Sequence, residues 1–140
     1  MSLYKTILVT LEGTPTDRAI IAHVKLLARE MRSRLVLLHV ASGVPAKYHR
    51  TDAAGKEIEE SNAFLDKAQA EFVAAGIPTE VELAYGDPAK EIVKWVKQKG
   101  CDLVAMSTHG HQFVADLVLG TTATRVQHKI SVPVLMLRAK

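Results

Sequence analysis

One cysteine, Cys101, stands in 140 residues, which excludes a disulfide within the chain and leaves the fold to rest on packing. A reducing compartment is compatible with such cysteine usage. Aromatic residues make up only 5% and are not interleaved with the basic ones, a poor basis for a platform on which nucleotide bases stack. No apolar run approaches the ~18 residues that a membrane helix needs. Met1 to Thr6 lead straight into an apolar segment, without the basic start and long apolar stretch of an export signal. The expectation is a soluble cytoplasmic protein with neither membrane nor nucleic acid as partner. An excess of one charge is missing too: 18 basic against 15 acidic residues give a net charge of +3 and a pI near 9.1. Lys90, Lys94, Lys97 and Lys99 cluster late in one helical segment that opens with Asp87 and Glu91. Acid first and base last complements a helix dipole, so the cluster reads as helix stabilisation.

What is present is regular. A chain of 140 residues fits one domain, taken as residues 1–140, with a core that needs no staples. Short apolar runs occur at Ile7–Val9, Leu35–Val40, Val81–Ala84, Leu103–Met106 and Val132–Leu137. Several are apolar on both faces, as strands of a helix-covered parallel sheet are. Between them lie segments of helical period. One runs from about Pro15 to Arg32 with Ile20, Val24, Leu27 and Met31 on one face. A second, from about Thr51 to Ala75, turns Ile58, Phe64 or Leu65, Ala68 and Phe72 inward. Asp87-Pro88 reads as a helix cap followed by proline in the first turn, while Gly76 and Gly100 stand where helices end. Gly43 to Arg50 reads as a loop.

Strict strand–helix alternation demands an α/β fold: a single doubly wound five-stranded parallel sheet with helices on both faces, Rossmann-like. In such sheets ligands bind beyond the carboxyl ends of the strands, where the winding reverses. Attention falls on the residues after Val9, after Leu38 and after Met106.

The densest signal runs from Met106 to Val126. Gly110 admits a close approach of ligand to backbone, and Gly120-Thr121-Thr122 sets two hydroxyls and free amides at a helix start, an arrangement suited to phosphate oxygens. The same residues also read as a plain chain break and helix cap. Thr10-Leu11-Glu12-Gly13-Thr14 ends the first strand, and Glu12 there can accept hydrogen bonds from a ribose or simply face solvent. Val40 can offer backbone groups to a base or belong to the core. His109 and His111 flank Gly110, but no third ligand stands nearby, so no metal site is expected.

The spacing Ser107-x2-Gly110-x9-Gly120-Thr121 resembles the nucleotide-binding signature of universal stress proteins, Gly-x2-Gly-x9-Gly followed by Ser or Thr. Lys5-Thr-Ile-Leu-Val9 with Glu12-Gly13-Thr14 resembles the family's first strand and its Asp-Gly-Ser turn. Ser131-Val-Pro-Val-Leu-Met-Leu-Arg138 resembles its closing strand, so the likeness covers essentially the whole chain. Ser107 stands for the first glycine and Glu12 for the aspartate. The resemblance implies strand order 3-2-1-4-5 and an ATP-binding stress-response protein, with AMP or ADP as other ligands and Mg2+ accompanying the phosphates. It puts Glu12, with Thr10 and Leu11 beside it, at the ribose, and Val40 at adenine. Met106 and Ser107 fall beside the ribose and α-phosphate, while His109, Gly110 and His111 border the phosphates and Gly120, Thr121 and Thr122 bind them. It also implies a homodimer paired through Val132–Leu137. No activated nucleophile with an adjacent base can be assembled, so a dedicated enzyme is not expected; bound Mg·ATP leaves room for weak hydrolysis or autophosphorylation. The rival reading is a dimeric adaptor of the same fold that binds no nucleotide.

Overall fold

In the computed structural model, residues 3–41, 52–108 and 121–138 are described. The elements follow as β1 (Thr6–Thr10), α1 (Asp17–Met31), β2 (Arg34–Ala41), α2 (Asp52–Ala74), β3 (Thr79–Tyr85), α3 (Pro88–Lys99), β4 (Leu103–Thr108), α4 (Thr121–Lys129) and β5 (Val134–Arg138). The strands form one five-stranded sheet in the order β3-β2-β1-β4-β5. Every pairing is parallel, with Leu8 opposite both Val36 and Val104, and Met106 opposite Met136. The expected fold and strand order are both found. The last strand is shorter than expected, starting at Val134 rather than Val132. Pro133 has no N–H to give to a ladder, although its carbonyl accepts from the Val104 amide at 3.0 Å.

Side-chain alternation splits the core in two. On one face Ile7, Val9, Leu35 and Leu37 meet Ile20 and Val24 of α1 and Leu65 and Phe72 of α2. On the other, Leu8, Val36, Leu38 and Val104 meet Ala89, Ile92 and Val96 of α3 and Ala123 and Val126 of α4. The inner face of α1 is turned relative to the expected one: Ile21 and Ala28 are buried, while Leu27 and Met31 are only half-buried. On α2, Leu65 takes the buried position and Phe64 is half-buried. The caps of α3 are as the sequence predicts. Asp87 accepts from the Lys90 amide at 3.0 Å, Pro88 follows, and Gly100 closes the helix at φ 66°. Asp102, just beyond, accepts from the amides of Lys5 and Thr6 at 2.9 and 3.1 Å and ties the start of β4 to that of β1. This leaves the opposite, carboxyl ends of the strands free to build a site.

Candidate functional site

β1 is the strand at which the winding reverses, since β2 lies on one side of it and β4 on the other. A cavity of about 240 Å³ opens at the carboxyl ends of these strands. It brings together the predicted residues Thr10, Leu11, Glu12, Val40, Met106, Ser107 and Thr122. His109, Gly110, His111 and Gly120 lie outside the described residues, as does the loop Gly43 to Arg50; Thr121 is the first residue of α4. The cavity is also lined by Leu38, Pro88, Ile92, Ala123 and Met136, which sequence reasoning did not single out. Strand alternation carries the signal for some of them: Leu38 and Val40 share a face, and the register sets Met136 beside Met106. The result is an apolar slot between the sheet and the starts of α3 and α4, with hydroxyls and a carboxylate at its rim.

The rim at β1 is held from behind. Leu11 is 2% exposed, and its amide donates to the Leu38 carbonyl at 2.9 Å. His39 Nδ1 lies 2.8 Å from the Leu11 carbonyl. A carbonyl only accepts, so Nδ1 carries the proton. The same imidazole meets the Phe64 ring edge-on with centroids 4.9 Å apart. Asp17, buried in the first turn of α1, accepts from the Glu12 amide at 2.9 Å and from the Gly13 amide at 2.8 Å. Gly13 adopts φ 80°, and a Cβ there would come within 2.8 Å of Phe64 Cε2. Asp17 is thus a positioning residue that sequence reasoning missed; its signal is an acid four residues after a turn glycine, at a helix start.

The far rim is braced by Arg125 of α4, which grips Asp87 with both guanidinium nitrogens at 2.9 and 2.8 Å. Arg125 and the Lys90 amide hold the Asp87 carboxyl below its usual range. Ser107 Oγ is buried and has no hydrogen-bond partner among the described residues, although Ser107 lines the cavity. Among the described residues no three histidine, cysteine or carboxylate side chains gather to hold a metal. Nor is any described helix long and apolar enough to cross a membrane.

The model of the universal stress protein family matches residues 3–138. The chain belongs to the universal stress protein family. Universal stress protein Slr1230 of Synechocystis is 37% identical over 86 residues, 60% of this chain and 30% of that protein. Universal stress protein YxiE of Bacillus subtilis is 25% identical over 97% of this chain and 100% of its own length. Among solved structures, MJ0577 of Methanocaldococcus jannaschii superposes with a TM-score of 0.82 at 26% identity, covering 99% of this chain and 98% of that one. A universal stress protein solved in complex with cAMP gives a TM-score of 0.70 at 20% identity, over 97% of this chain and 98% of its own. The Archaeoglobus fulgidus protein in complex with dAMP gives 0.70 at 18%, over 96% and 98%. At these last identities the likeness is one of fold.

Proposed function

We propose that this universal stress protein binds an adenine nucleotide, ATP or its shorter relatives, in the cavity at the strand ends, and acts as a regulatory or protective protein in the cytoplasm. The observation that carries the reading is the convergence of Thr10, Leu11, Glu12, Val40, Met106, Ser107 and Thr122 on one slot. Leu38, Val40, Ile92 and Met136 offer flat apolar walls to a base, with Glu12 at the rim for the ribose hydroxyls. Thr122 stands in the first turn of α4, where free amides and the helix dipole favour phosphate. The volume, about 240 Å³, is below the ~300–1,000 Å³ of drug-sized sites, so base and sugar fill it and the phosphates extend toward α4. The unpartnered Ser107 Oγ supplies a hydrogen bond that the glycine of the family signature lacks. Mg2+ enters with the phosphates, as no described carboxylate cluster is prepared for it. Fold neighbours that hold cAMP and dAMP support the reading by analogy.

The test is a melting curve with and without Mg·ATP. A ligand at a hundredfold excess over Kd stabilises by about 2.7 kcal/mol, a readily visible shift. Gly120→Val should lower affinity about ten- to a hundredfold and leave the fold intact. No shift at millimolar nucleotide would defeat the reading in favour of an adaptor that binds none.

In the same reading residues 1–140 act as one domain and pair as a homodimer through β5. Support comes from the contrast between the sheet's two edges. β3 carries Glu80 and Glu82, engaged by Lys99, whereas β5 reads Val134-Leu-Met-Leu137, half-buried at each position.

A further inference from the structure

The lysine cluster of α3, which the sequence assigns to the helix dipole, divides in the structure. Lys99 bonds Glu80 at 2.8 Å, and Lys94 lies 3.9 Å from Glu91. Lys90 and Lys97 instead border a groove whose other wall is formed by Arg125, His128 and Lys129 of α4. The floor is apolar: Ala89 and Val93 line one cavity of about 530 Å³, and Val96 and Ile130 line a second of about 310 Å³ that shares His128 and Lys129 with the first. The groove therefore follows α3 from Ala89 to Val96, about 10 Å or two helical turns.

Among the described residues, the charge of this groove is compensated only at Arg125. Lys90, Lys97, Arg125 and Lys129 are fixed cations, and the carboxylate that meets this wall is Asp87, already gripped by Arg125. Lys97, His128 and Lys129 enter no side-chain hydrogen bond or ion pair among the described residues. By contrast Arg18 and Lys25 share Glu71, and Arg34 and Lys99 share Glu80. We propose that the α3–α4 groove docks an acidic amphipathic helical segment of a partner protein. A two-turn apolar floor receives side chains at i, i+3 or i+4 and i+7 of such a helix, and flanking carboxylates meet the lysines on both walls. Charge complementarity of this kind speeds encounter and fixes register. A nucleic acid would meet the cations but leave the apolar floor unused, and it would find no Phe, Tyr or Trp among the described groove residues to stack on. Trp95 packs instead toward the core of the α3–α4 face. The groove uses side chains other than those lining the strand-end cavity, so the inference stands apart from nucleotide binding.

The test uses the full chain and a fluorescent model peptide that is helical, glutamate-rich and carries leucine at i, i+3 and i+7. Saturable binding is expected, at least about tenfold tighter than to polyglutamate or to a scrambled peptide of equal charge. Lys97→Glu with Lys129→Glu should remove it, as should Val93→Asp. Lys67→Glu, on the exposed face of α2, should leave binding unchanged. Circular dichroism and melting of each variant check the fold, and the double lysine variant, altered only at exposed positions, keeps the test open if Val93→Asp unfolds. Absence of saturable binding at millimolar peptide would overturn the proposal. So would an equal loss with Lys67→Glu, or tighter binding of single-stranded DNA or of phosphatidylserine vesicles than of the peptide.

Discussion

The carboxylate of Asp17 holds the amide of Gly13 at 2.8 Å, and through it the whole turn that carries Glu12 to the cavity rim. The second oxygen takes the Glu12 amide, so a buried side chain stands in for the backbone partners that a turn would otherwise lack. Asp17→Ala removes two hydrogen bonds to a charged acceptor at a turn whose amides water can reach, and a loss of about 1.5–3 kcal/mol is expected. Nucleotide affinity should fall with it, since Glu12 loses its support. A variant as stable as wild type in urea would show that the turn holds itself.

Gly13 adds a steric demand at the same turn. Its φ of 80° disfavours a side chain, and a Cβ would press on Phe64 at 2.8 Å. Gly13→Ala should therefore destabilise by more than the about 1–2 kcal/mol that a left-handed backbone costs alone. Adding Phe64→Leu should recover the contact part and leave the backbone part. Equal losses in the single and double variants would mean that Phe64 moves aside freely.

These relationships mark the limit of what the sequence reveals. Asp87-Pro88 and Gly100 announce the ends of α3 because a cap depends on neighbours a few residues away. The alternation of apolar runs likewise determines the sheet, since βαβ crossovers leave few topologies open. Asp17 escapes notice because its partners are backbone amides in the preceding loop, and any helix-start acid resembles it. The Arg125–Asp87 grip joins residues 38 apart, and no local pattern links them. Leu38, Ile92 and Met136 look like ordinary core residues until packing sets them around the cavity. The α3–α4 groove is hidden for the same reason, its two basic walls being separated by β4.

The Asp87–Arg125 pair should make the far rim sensitive to acid. Arg125, followed by the Lys90 amide, lowers the Asp87 carboxyl below its ordinary value, so near pH 4 the unfolded chain binds more protons than the folded one. The stabilisation is then complete above an unfolded pKa of about 3.9 and fades as the pH drops through the depressed folded value. Melting of wild type and Asp87→Asn from neutral pH to about 3 checks the sign against that ordinary carboxyl value. The gap between the two should narrow at the acid end, whereas a gap that widens there would contradict the pairing.

Cys101 should be chemically silent in the folded protein. Burial pushes its thiol up to about 11, against weaker and partly opposing effects of Arg34 and Asp102. The residue is 5% exposed, two positions before β4. Since the thiolate is the reactive form, a disulfide reagent at mildly alkaline pH should react slowly with native protein and promptly after denaturation. Prompt reaction of the native chain would place Cys101 on an open surface.

The proposed homodimer gives the last prediction, and β5 supplies the reason. An edge strand presents a row of backbone donors and acceptors, and a long apolar edge invites a second chain. Val134, Leu135, Met136 and Leu137 alternate between the two core faces, each only half-buried, so both faces of the edge remain unfinished. Arg138 ends the strand, and Pro133 before it removes a donor near its start. A twofold axis beside β5 would set the strand antiparallel to its own copy, satisfying both edges with one self-complementary contact. Leu135→Lys sets two like charges near one another across that axis, in an interface that has to exclude water. Light scattering should therefore report a dimer for wild type at micromolar concentration and a monomer for the variant, with circular dichroism unchanged. A monomeric wild type would remove the interface altogether, and a Leu135→Lys protein that stays dimeric would move it to another surface.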